Sequence, residues 1–89
     1  MTKTVAILGS TGSIGKILLS TVKKNRKSFN VVLLTANKDY KTLYKQAKKY
    51  EVKNLIITND ISYKILKKKC KKKNINVYNN FNIFKKIFK

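Results

Sequence analysis

The residues best equipped for chemistry are Gly9-Ser10-Thr11-Gly12-Ser13-Ile14-Gly15. Glycines let a backbone approach an anion closely, and the free N–H groups of a helix's first turn point at it. The spacing is G-x-x-G-x-x-G, one residue longer in its first gap than the dinucleotide fingerprint G-x-G-x-x-G. Gly12 permits close approach to a pyrophosphate, and Gly15 lets a helix lie against the strand before it. The hydroxyls of Ser10, Thr11 and Ser13 add donors around the anion. Between a strand and a helix, this turn reads as the pyrophosphate-binding turn of a nicotinamide dinucleotide site.

A second group of residues bears on which dinucleotide. A site for NAD carries an acid roughly 20 residues beyond the glycines, to take the ribose hydroxyls. Here the stretch is Thr35-Ala36-Asn37-Lys38-Asp39. Neutral residues come first, then a cation suited to a 2′-phosphate, so Lys38 favours NADP(H). Asp39 has two readings, a ribose contact or a helix cap. The remaining acids, Glu51 and Asp60, pair with nothing, and there is no His. The chain therefore carries no acid–base pair and no metal-ligand cluster. Its lone Cys70 excludes an internal disulfide, fits a small apolar filler on a helix, and suits a reducing, cytoplasmic compartment.

The elements that position these groups follow from apolar periodicity. Thr4 to Leu8 is a nearly continuous apolar run, the pattern of a buried parallel strand. Ile14, Ile17, Leu18, Thr21 and Val22 form the stripe of a helix over 13–24 that should face the sheet. A second strand spans Phe29 to Ala36. A helix follows from Tyr40 to Tyr50, with Asp39 as its cap. A third strand runs from Lys53 to Thr58. Asn59 or Asp60 then caps a helix bearing Ile61, Ile65, Leu66 and Cys70, which ends in a lysine run. Asn74 to Tyr78 is a fourth strand, and Phe81, Ile83, Phe84, Ile87 and Phe88 make a last amphipathic helix. The order βαβαβαβα with short connections predicts an α/β, Rossmann-like parallel sheet with right-handed crossovers and strand order 3-2-1-4.

Eighty-nine residues allow one small domain, too little for a dinucleotide enzyme with its own substrate domain. The chain starts Met1-Thr2-Lys3 and enters its first strand at once, leaving no room for a targeting peptide. No apolar run approaches membrane-spanning length, so no membrane partner is expected. The net charge of +19 raises nucleic acid as a partner, with Tyr and Phe scattered among the lysines. Nearly all of that charge is Lys, however, alongside abundant Asn, Ile, Tyr and Phe. These residues share A/T-rich codons, so a biased genome yields the same excess without any selected partner.

The run Val5-Ala6-Ile7-Leu8-Gly9-Ser10-Thr11-Gly12-Ser13-Ile14-Gly15 resembles the N-terminus of the 1-deoxy-D-xylulose 5-phosphate reductoisomerase family. Its members begin with Ile-Leu-Gly-Ser-Thr-Gly-Ser-Ile-Gly. The likeness continues through Phe29-Asn30-Val31-Val32 to Ala36-Asn37-Lys38-Asp39, where the family has Ala-Gly-Lys-Asn. The resemblance implies NADPH as cofactor, with Thr11, Gly12, Ser13 and Ile14 holding its phosphates. Asn37, Lys38 and Asp39 would lie beside the adenosine ribose and its 2′-phosphate. It implies a sugar-phosphate substrate that is rearranged and reduced on the non-mevalonate isoprenoid route. A divalent metal (Mg²⁺ or Mn²⁺) and a homodimer belong to the same implication. Family members are several times longer, so residues 1–89 would be a partial dinucleotide-binding domain, inactive alone, without the catalytic and C-terminal domains. Another NADP-dependent reductase, such as a semialdehyde dehydrogenase, shares the glycine turn but usually has Ala in place of Ser10.

Overall fold

The computed structural model describes residues 2–88. Four strands alternate with helices: β1 (Lys3–Ile7), α1 (Ser13–Lys24), β2 (Phe29–Ala36), α2 (Tyr40–Tyr50), β3 (Asn54–Ile57), α3 (Asp60–Cys70) and β4 (Asn76–Tyr78). A tight helical turn over Phe81–Ile83 then leads into one further turn of helix, α4 (Phe84–Ile87), in place of the longer last helix expected. Asn80 caps this segment, and the Phe84 and Phe88 rings meet with centroids 4.8 Å apart.

All strand pairs are parallel, but the order is β1-β2-β3-β4 and not 3-2-1-4. The reason lies in α3. Returning from β3 to the far side of β1 by a right-handed crossover would place α3 on the opposite face of the sheet. Instead its Leu66 and Cys70 join one core cluster with Leu43 and Ala47 of α2, Leu19 of α1, and Ile7, Leu34, Leu55 and Val77 of the strands. Helices α1, α2 and α3 thus share one face, and each crossover steps the same way. Asn76 seals the last step: its N–H donates to the Lys53 carbonyl at 2.8 Å, and its side chain donates to Asn54 Oδ1 at 3.3 Å.

The pairing of β1 with β2 carries one irregularity. Val5 faces Val31 and Ala6 faces Leu33, leaving Val32 as an extra residue. This bulge resets the alternation, so Val31, Leu34 and Ala36 all reach the cluster under the helices. Asn54 donates its side-chain N–H to the Val32 carbonyl at 3.1 Å and holds the bulge. Leu33 and Ile56, on the other face, are fully buried although they lie outside that cluster.

The largest departure from sequence periodicity is in α1. Its buried face is Gly15 and Leu19, with Val22 packed against the core, whereas Ile14, Ile17 and Leu18 are 74%, 65% and 50% exposed. The cause is Gly15. A Cβ there would collide with the Gly9 carbonyl oxygen and stand 2.7 Å from Ser10 Cα. The helix therefore rests on the turn through Gly15, and that contact fixes its rotation. The larger side chains are carried outward beside β1, which has only one strand neighbour, and Leu8 is exposed on the same connection. In α3, likewise, Ile61 is 72% exposed while Leu66 and Cys70 are buried.

Candidate functional site

In a parallel sheet every strand ends at the same edge, and the loops that leave there gather into one rim. Two sequence-adjacent loops of this kind meet here, the turn after β1 and the turn after β2. The Gly9 N–H donates to Thr35 Oγ1 at 2.9 Å, and the Ser10 N–H donates to the Thr35 carbonyl at 3.0 Å. Thr35 lies two residues before Asn37, so the structure brings the glycine turn and Asn37-Lys38-Asp39 to neighbouring strand ends.

The three glycines serve different ends. Gly9 has φ +69°, a left-handed conformation that favours glycine. Gly15 gives the close approach already described. Gly12, at φ −78°, needs no special backbone, and a Cβ added there would make an ordinary 3.5 Å contact with the Gly9 carbonyl. Packing within the chain gives no reason for glycine at Gly12. Its missing side chain leaves room at the head of α1, where no side-chain cap takes up the first N–H groups and no acid stands in the first turn. A phosphate-bearing group fits that opening.

Thr11, Gly12, Ser13 and Ile14 border the opening, and all but the half-buried Thr11 are exposed. Ser10 is different. The sequence suggests an anion donor, but the side chain is fully buried and its Oγ donates to Gln46 Oε1 at 2.8 Å. Gln46 Nε2 returns a bond to the Ser10 carbonyl at 2.8 Å. Gln46 and Thr35 are the residues that motif reading missed. The signal for Gln46 was present, since a lone amide sits beside Leu43 and Ala47 on the buried face of α2.

The second loop is equally well anchored. Asn37 Oδ1 accepts from Thr58 Oγ1 at 2.8 Å, and the Lys38 carbonyl accepts from Ser62 Oγ at 2.8 Å and from the Tyr40 N–H at 2.8 Å. Lys38 thus has a fixed backbone and an exposed side chain. Asp39 caps α2: its Oδ1 accepts from the Thr42 N–H at 3.0 Å. Thr42's hydrogen bonds, backbone first, hold this carboxyl below its ordinary 3.8, and Lys16 and Lys41 add to the effect.

Among the described residues no three His, Cys, Asp or Glu side chains come together. Cys70 is buried, and burial pushes its thiol upward. Among the described residues no helix is long and apolar enough to cross a membrane. Tyr40, Tyr44, Tyr50 and Tyr63 pack against the core, and lysines already stand over three of the rings, with Lys48 4.3 Å from the Tyr44 centroid and Lys23 5.0 Å from that of Tyr50.

Comparison with known proteins bears on the same stretch. Residues 5–86 match the family model for 1-deoxy-D-xylulose 5-phosphate reductoisomerase. The reductoisomerase of Pelagibacter ubique is 49% identical over 86 residues, covering 97% of this chain and 22% of that protein. The enzyme of Porphyromonas gingivalis is 44% identical over 66 residues, covering 74% of this chain and 17% of that protein. Among solved structures, the Zymomonas mobilis reductoisomerase in complex with NADPH superposes with a TM-score of 0.80 at 32% identity, covering 88% of this chain and 21% of that one. A reductoisomerase structure with magnesium, at 22% identity and TM-score 0.76, shares the fold. The chain spans about a fifth of the length of the curated relatives it matches. It belongs to the 1-deoxy-D-xylulose 5-phosphate reductoisomerase family, whose N-terminal portion it matches.

Proposed function

We propose that this chain is the NADPH-binding N-terminal part of a reductoisomerase that converts 1-deoxy-D-xylulose 5-phosphate into 2-C-methyl-D-erythritol 4-phosphate. The observation that carries the reading is Gly12, a glycine without a role in the chain's own packing, at the open head of α1. The N-terminal match to a relative solved with NADPH supports it. In this reading Thr11, Gly12, Ser13 and Ile14 hold the pyrophosphate through backbone N–H groups and the Thr11 and Ser13 hydroxyls. Lys38 meets the 2′-phosphate, Asn37 lines the ribose, and Asp39 keeps the start of α2 in place beside them. The bound dinucleotide supplies the hydride that reduces the rearranged sugar phosphate.

Residues 1–89 then form part of a dinucleotide-binding domain. The open edge of β1, with Leu8, Ile17 and Leu18 exposed around it, is where the rest of that domain packs. Substrate-phosphate, metal-binding and dimer-forming residues belong to the remainder of the longer polypeptide. The buried free thiol of Cys70 suits a reducing, cytoplasmic setting.

The test is calorimetric titration of the folded chain with NADPH and with NADH. NADPH should bind more tightly, and Lys38→Ala should narrow the difference by about tenfold, the loss of one charge-assisted phosphate contact. Equal affinities, or no binding by a chain shown folded by circular dichroism, would overturn the reading.

A further inference from the structure

Ser10 has no polar group left over. Its N–H goes to the Thr35 carbonyl at 3.0 Å, its carbonyl accepts from Gln46 Nε2 at 2.8 Å, and its Oγ donates to Gln46 Oε1 at 2.8 Å. The Gln46 amide thus grips both the main chain and the side chain of one residue, 36 positions away in sequence. The pair is almost wholly enclosed, with Ser10 at 0% and Gln46 at 7% exposure. Hydrogen bonds so shielded are costly to leave half-made, because the abandoned partner stays buried without water. The turn is therefore held from three sides: by Gly15 of α1 pressed against it, by Thr35 of β2, and by Gln46 of α2. Immediately after the gripped residue come the half-buried Thr11 and the exposed Gly12 and Ser13.

We propose that Gln46 is a positioning residue for dinucleotide binding. It fixes the Ser10 peptide so that the Thr11–Ile14 backbone is set for a pyrophosphate before the ligand arrives. The inference rests on the dinucleotide reading above and adds a second consequence. Gln46 stands on the same helix that Asp39 caps, seven residues on, or roughly two turns and 10 Å along the axis. One rigid helix thus ties the pyrophosphate turn at one point to the ribose loop at another, and α2 acts as the spacer between the two halves of the site. Preorganisation of this kind raises affinity by removing the ordering cost from the binding step.

The experiment compares two ligands on the 89-residue chain. NADPH engages both halves of the site, whereas adenosine 2′-monophosphate lacks the pyrophosphate and engages only the ribose loop. Gln46→Leu, checked for folding by circular dichroism, should weaken NADPH tenfold or more and change adenosine 2′-monophosphate less than twofold. Lys38→Ala should weaken both. Ser10→Ala removes one of the two bonds with little change in volume, and should weaken NADPH about threefold with the same selectivity. It decides the matter if Gln46→Leu does not fold. Wild-type affinity for NADPH in a folded variant, or equal losses for both ligands, would overturn the positioning role. Failure of the wild-type chain to bind NADPH would overturn the dinucleotide reading and this inference with it.

Discussion

Helices α1, α2 and α3 all begin at the same rim of the sheet, yet they begin differently. Asp39 accepts from the Thr42 N–H at the start of α2, and Asn59 accepts from the Ser62 N–H at the start of α3, each at 3.0 Å. These helices satisfy part of their own N-termini, as folding alone would ask. At α1 the capping position is Gly12, with no side chain to offer. Its start is secured from beneath instead, through Gly15, Thr35 and Gln46. The capped ends show what a helix start does for itself. The glycine end shows stability supplied from behind so that the front stays available. The distinction also separates Gly15, whose missing Cβ the turn requires, from Gly12, whose missing Cβ the chain's own packing does not require.

The sharpest way to break that comparison is to add one methyl group at each glycine in turn. Gly15→Ala places a Cβ against the Gly9 carbonyl and 2.7 Å from Ser10 Cα, backbone atoms that cannot swing aside. The helix must lift from the turn, and we expect a loss of about 3 kcal/mol, or failure to fold, in urea denaturation. Gly12→Ala meets only a 3.5 Å contact at an ordinary φ. Its unfolding free energy should fall by about 1 kcal/mol at most, the difference between glycine and alanine at a helix N-cap. NADPH affinity should nevertheless fall at least tenfold, or about 1.4 kcal/mol, because the methyl group occupies the pyrophosphate's approach. A Gly12→Ala chain that binds normally would leave Gly12 without a role at the ligand and end the contrast.

How much of this was legible beforehand depends on what kind of information each residue carries. The alternation of strands and helices and the bounds of β2 and α2 are local matters, and sequence expressed them well, while Asp39 reads as a cap and as a ribose contact alike. The rotation of α1 was not legible, because a stripe of Ile14, Ile17 and Leu18 outweighs a glycine on any hydrophobic scale. What decided the facing side was a close approach, which needs the smallest residue and not the most apolar one. Strand order escaped for a related reason. Handedness fixes which face a crossover covers once the direction of the step is known, but the direction depended on whether Leu66 and Cys70 would join Leu43 and Ala47. At the site, the motif announced the turn while its supports were silent. Thr35 looks like any strand residue, and Gln46 stands out only once α2's buried face is known. Ser10, read as a donor to the ligand, is spent on that support.

The mildest test concerns the capped end. Asp39→Ala removes the acceptor for the Thr42 N–H and should cost about 1 kcal/mol, whereas Asp39→Asn keeps an acceptor and should cost less. The two also separate under acid. Asp39 titrates below its ordinary 3.8 in the folded chain, so it favours folding wherever it is ionised in both states. That contribution is present above the unfolded value and is lost as pH falls through the lower folded one. Melting curves from pH 7 to pH 3 should therefore show wild type losing more stability than Asp39→Asn, with the difference arising below about pH 4. The head of α1 has no titrating cap, so Gly12→Ala should follow wild type across the whole range. Parallel curves for wild type and Asp39→Asn would mean that Asp39 does not hold α2 by its charge. The contrast between the two helix starts would then rest on geometry alone.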